Sequence, residues 1–142
     1  MANYEFKDLT ENGVWAIRKS LKLYLQKYQE MEENTNQSTL SVDERSQFFA
    51  LYQAQEKLKV AYYQLEKLSE SVIADGYLIK NKNNRYEVGG VELTSGSYIE
   101  YLYKDEDINY YVPSTIEHNG EDYYIVDLGR SKKIEGVQVR IK

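Results

Sequence analysis

The chain has 142 residues, a mass of 16.7 kDa, 42% apolar and 29% charged residues and a net charge of −5, the composition of a folded protein without an overall basic footprint. It has no cysteine, which excludes disulfide frameworks, thiolate zinc sites and thiol catalysis, and one histidine, which excludes a multi-histidine metal site. At this size about 69% of the unfolded surface is buried on folding, enough for a core without metals or crosslinks.

Met1-Ala2-Asn3-Tyr4-Glu5-Phe6-Lys7-Asp8 has no basic region followed by an apolar stretch, and no run approaches 18 apolar residues. The expectation is a cytoplasmic protein without a membrane span. Asn36-Gln37-Ser38 matches a glycosylation sequon but carries no meaning without secretion.

Seven of the eight glycines lie from Gly76 onward, as does the one proline, Pro113. This shift predicts two domains, 1–75 and 76–142. In the first, Val14, Ile17, Leu21, Tyr24, Tyr28 and Met31 step by three and four, which predicts a helix from about Thr10 to about Glu33. Gly13 weakens its start. A polar loop follows from Glu33 to Thr39. Ser41-Val42-Asp43-Glu44 fits a capping box. Leu51, Ala54, Leu58, Ala61, Leu65, Leu68 and Val72 then predict a second helix ending at Gly76, roughly 50 Å long. The two helices are expected to form an antiparallel hairpin. Its overhanging apolar stripe needs the β domain, a second chain in a homodimer, or another partner.

From Tyr77 the period changes. Tyr77–Lys80, Arg85–Val88, Val91–Leu93, Tyr98–Tyr103, Tyr110–His118, Asp122–Leu128 and Gly136–Ile141 are predicted strands. Gly89-Gly90 and Asn119-Gly120 are hairpin signals. Pro113 marks an edge or a bulge. Turns every eight to twelve residues predict a small antiparallel β-barrel-like (SH3-like) domain, so the expected fold class is α+β.

The search for chemistry yields no catalytic set, no metal site and no cofactor motif. Asp105-Glu106-Asp107-Ile108-Asn109 opens like a calcium loop, but Tyr110 stands where glycine is needed and Ile116 where glutamate is needed. His118 and Glu117 are adjacent on a strand and point to opposite faces, so they form no dyad. Two surface readings remain. Glu100, Asp105, Glu106, Asp107, Glu117, Glu121 and Asp122, with Tyr110 and Tyr111, form an expected acidic, aromatic contact face for a protein partner with a basic nucleic-acid channel. The alternative is nucleic-acid binding through the basic turn carrying Arg130, Lys132 and Lys133, in a domain with nine tyrosines but 11 acidic against nine basic residues.

Gly76-Tyr77, Arg85-Tyr86-Glu87-Val88, Glu92-Leu93-Thr94-Ser95-Gly96-Ser97, Ile99-Glu100, Ile116-Glu117-His118, Tyr123-Tyr124-Ile125-Val126 and Gly136–Ile141 together resemble a small domain-of-unknown-function family. That family occurs mostly in Gram-positive bacteria, often on plasmids, conjugative elements and prophages. It tends to carry tryptophan near Tyr111 and arginine at Thr115, where this chain departs. The resemblance implies an accessory protein of a mobile element. By analogy, it implies an inhibitor of a host-defence nuclease, similar to anti-CRISPR proteins. It implies no catalytic residue.

Overall fold

The computed structural model describes residues 5–142. Met1–Tyr4, part of the expected first domain and of the stretch read for targeting, lie outside the described residues. The chain divides into two compact units, Met1–Ser69 and Glu70–Lys142.

The first unit is a helical hairpin. A short turn α1 (Phe6–Asp8) and a π-helical turn (Leu9–Gly13) lead without a break into α2 (Val14–Asn34). Helical structure thus starts earlier than the apolar spacing predicts. Thr10 assists, its Oγ1 donating to the Phe6 and Lys7 carbonyls at 3.2 and 3.1 Å. A 3-10 turn (Gln37–Thr39) reverses the chain into α3 (Val42–Leu68). The capping box at the start of α3 is present. Glu44 N–H donates to Ser41 Oγ, and Ser41 N–H donates to Glu44 Oε1, both at 3.1 Å.

Two expectations for the hairpin fail. First, α3 stops at Leu68, giving 27 residues and about 40 Å instead of 50. The β-branched pair Val72-Ile73 leads instead into a strand, and Ile73 N–H donates to the Ile141 carbonyl at 2.9 Å. Second, the predicted α3 stripe does not become the hairpin core. The buried residues are Val14 and Tyr28 on α2 and Gln55 on α3, while Leu51 and Leu68 stay exposed. Phe48, Phe49, Tyr52, Val60 and Tyr63 place apolar groups around most of α3, so local spacing does not single out one inward row.

The second unit is antiparallel β. Its strands are β1 (Ala74–Tyr77), β2 (Ile79–Lys80), β3 (Tyr86–Val88), β4 (Val91–Glu92), β5 (Tyr98–Lys104), β6 (Asn109–His118), β7 (Tyr123–Ile125) and β8 (Gln138–Ile141). One sheet has the order β1-β8-β5-β6-β7 and the other β2-β3-β4. The fold class is α+β, as expected, but neither sheet closes into a barrel. The single strand expected at Tyr77–Lys80 is two. β1 pairs with β8, β2 pairs with β3, and Leu78 at the join is fully buried. The strand expected to reach Leu128 ends at Ile125 and continues as a 3-10 turn, Val126–Leu128.

Gly89-Gly90 make the two-residue β3–β4 turn, with φ of +55° and +81°. A side chain at Gly89 would also meet Ala74 Cβ at 3.0 Å. Pro113 lies in the stretch of β6 that pairs with β5 on one side while β7 reaches only Ile116–His118 on the other, an edge position. The core gathers Leu78, Val88, Leu93, Ile99, Ile116, Ile125, Ile134 and Val139 with Tyr86, Tyr101 and Ile141. Among the described residues, no helix is long and apolar enough to cross a membrane.

Candidate functional site

β5 and β6 form the longest hairpin in the β unit. The pairing Lys104↔Asn109 leaves a four-residue turn, closed by Asp105 N–H donating to the Ile108 carbonyl at 2.9 Å. Asp105, Glu106 and Asp107 are exposed at its tip. Directly behind them Tyr103 and Tyr110 face each other across the strands, ring centroids 5.0 Å apart and tilted by 38°. Both rings are about half exposed, and Ile108 is 61% exposed. The tip therefore presents two aromatic rings and an aliphatic group beside three carboxylates. Sequence reasoning selected Asp105–Asp107 and Tyr110 but missed Tyr103 and Ile108. The hairpin register, once centred on the Lys104–Asn109 turn, pairs Tyr103 with Tyr110.

The other carboxylates do not join this tip. Glu121 and Asp122 lie in the β6–β7 turn, at the opposite end of the ten-residue β6, about 30 Å away. The expected single acidic face is thus two separate sites, because a hairpin sends its two turns to opposite ends. Asp122 is also engaged. It accepts from Lys80 Nζ and the Tyr86 hydroxyl, both at 3.1 Å. Burial pushes the Asp122 carboxyl up, but the Tyr123 amide, Lys80 and Tyr86 outweigh it and hold it below the usual range. Burial, followed by the bond to Asp122, pushes Tyr86 up to about 12. Glu117 is half-buried opposite Tyr124.

Glu100 is not a surface residue. It is 5% exposed in the middle of β5, bonded to the Tyr98 hydroxyl and to Arg140 Nε at 2.5 Å, with Lys142 Nζ at 3.7 Å. Burial alone would raise its carboxyl, yet the Tyr98 and Arg140 hydrogen bonds and the Lys142 and Arg140 charges bring it below the ordinary value. Arg140 in turn lies 4.1 Å over the Tyr111 ring, so Tyr111 is packed rather than offered. The cross-strand register Glu100↔Arg140 assembles this cluster, and a single sequence does not show it.

His118 Nδ1 accepts the Gly120 N–H at 3.0 Å, and the ring meets Tyr123 edge-on, which makes it a turn-fixing residue. Of the basic turn, Arg130 is tied to Asn119 by two hydrogen bonds, at 3.0 and 3.3 Å. Lys133 is exposed. Lys132 lines a cleft of about 420 Å³ with Tyr77, Tyr101, Tyr103 and Lys104. The three basic residues therefore divide among different surroundings. Among the described residues, no three His, Cys, Asp or Glu side chains are grouped to hold a metal ion.

Residues 76–141 match the model of a family described as a domain of unknown function (DUF5348). The match covers the β unit from Gly76 and leaves the helical hairpin outside it. No curated protein and no solved structure matches the chain.

Proposed function

We propose that this chain is a non-enzymatic accessory protein that binds a protein partner through the β5–β6 tip. Its support is one observation: Tyr103, Tyr110 and Ile108 stand exposed beside Asp105, Glu106 and Asp107 at the tip of one hairpin. Aromatic anchors bordered by charge suit a protein contact, and the carboxylates suit a basic surface. The partner class is a protein with a basic nucleic-acid channel. A host-defence nuclease inhibited by a mobile-element protein through steric or charge occlusion is the concrete version. The test is capture from nuclease-treated bacterial lysate by the wild type and two variants in parallel. Replacing Tyr103 and Tyr110 by Ala, or Asp105, Glu106 and Asp107 by Lys, should weaken a stoichiometric complex at least about tenfold, the effect of 1.4 kcal/mol. A complex untouched by both variants refutes the tip.

The cleft around Lys132 favours a second reading, single-stranded nucleic acid held by tyrosine stacking and lysine charge. Lys104→Ala with Lys132→Ala should then lower oligonucleotide affinity, and affinity should fall steeply with salt. No binding at low salt removes this reading.

A further inference from the structure

The hairpin carries an apolar layer that its own two helices cover only in part. On α2, Ile17, Tyr24 and Met31 repeat every seven residues, and on α3, Leu51, Leu58 and Leu65 do the same. At about 100° per residue, each row is rotated roughly 60° from the line where the helices meet, marked by Tyr28 and Val14 on α2 and by Gln55 on α3. The rotation has the same sense on both helices. The helices are antiparallel, since Arg18 near the start of α2 donates to Ser69 Oγ at the end of α3, at 2.9 Å. Equal rotation on antiparallel helices places both rows on one side of the hairpin. The opposite side is a groove of about 710 Å³ with Lys22, Gln29, Glu33, Glu56 and Lys59 in its lining.

This layer is open. Ile17 is 47%, Tyr24 39% and Leu51 43% exposed, while Met31, Leu58 and Leu65 are half-buried. A heptad-spaced pair of rows is the inner face of a helix bundle with half of its helices absent. Over the length of α2, about 31 Å, two helices each about 10 Å across present roughly 600 Å². Two such faces bury roughly 1,200 Å², the lower edge of what a specific, stable dimer needs. A face with apolar rows on both helices can pair with its own copy about a two-fold axis, and interfaces between identical chains are the more apolar kind. We infer that the face of the hairpin formed by Ile17, Tyr24, Met31, Leu51, Leu58 and Leu65 is covered by the same face of a second copy, forming a four-helix bundle. This assignment is independent of the β5–β6 tip.

The test is light scattering and sedimentation of the full chain across a concentration series, with helix melting followed by circular dichroism. A dimer of twice 16.7 kDa is expected, with a helix melting temperature that rises with protein concentration. Tyr24→Lys with Leu51→Lys should raise the dissociation constant at least about 100-fold, close to 2.7 kcal/mol. Trp15→Lys, on the other side of α2, should leave it within about threefold. A monomer at about 100 µM with a concentration-independent helix melt overturns the inference, and so does a dimer indifferent to the Tyr24 and Leu51 changes. If the double variant loses helix, the concentration dependence of the wild-type melt still decides.

Discussion

The two units have similar length but bury their apolar residues very differently. Among the described residues, the β unit buries eleven large apolar side chains, seven of them fully or almost fully, and the hairpin buries only Val14 and Tyr28. The hairpin meanwhile exposes thirteen large apolar residues, from Phe6 at 83% to Tyr24 at 39%. Two helices share a single contact line, whereas a bent pair of sheets encloses a volume. A regular apolar period therefore points to a helix, but it does not guarantee that the helix has found its partner.

Truncation of core residues should separate the units most strongly. Ile116→Ala and Ile99→Ala, both at fully buried positions, should each cost the β unit about 2–5 kcal/mol in urea unfolding. Leu23→Ala on the exposed side of α2 should stay within about 0.5 kcal/mol. Equal losses at both places would erase the contrast. Next comes the buried ion pair. Glu100→Ala removes the carboxylate that Arg140 and Lys142 share, and should cost about 2–3 kcal/mol, below the full cost of a broken buried pair because Arg140 is a third exposed. A smaller loss than at either buried site is expected at the hairpin cap: Ser41→Ala removes the α3 cap and should cost about 1 kcal/mol of helix stability.

Acid provides a further separation. Glu100 and Asp122 have folded pKa values below their unfolded ones. Their stabilisation is therefore complete above the unfolded carboxylate range, around pH 4, and is lost as pH falls through the depressed folded values. The β unit should show a steep acid transition below about pH 4, shallower in Glu100→Gln. An acid transition unchanged in that variant would mean that Glu100 carries none of this dependence.

Much of the fold was legible locally. The Ser41–Glu44 capping box and the Gly89-Gly90 turn each follow from short-range backbone chemistry, which a few adjacent residues suffice to specify; Pro113 marks an edge or a bulge locally, and strand pairing makes it an edge. The errors have a common origin. α3 ends before its apolar period does because β1 is drawn into pairing with β8, more than 60 residues away in the chain. Glu100 reads as surface from its neighbours in the sequence because its partners Arg140 and Lys142 arrive with that same distant strand. Of the candidate site, Asp105–Asp107 and Tyr110 were legible as a charged turn with a flanking aromatic. Tyr103 needed the register of the hairpin.

The sequence by itself determined the order of helices before strands, the α3 cap, the glycine turns and the α+β class, because periodicity, capping and φ preferences act within a few residues. Tertiary structure decided which side of each helix turns inward, which carboxylates share a surface and whether the sheet closes. Those outcomes depend on pairings between distant strands and on the competition among several apolar rows for one contact line, and neither is written in any local stretch of the chain.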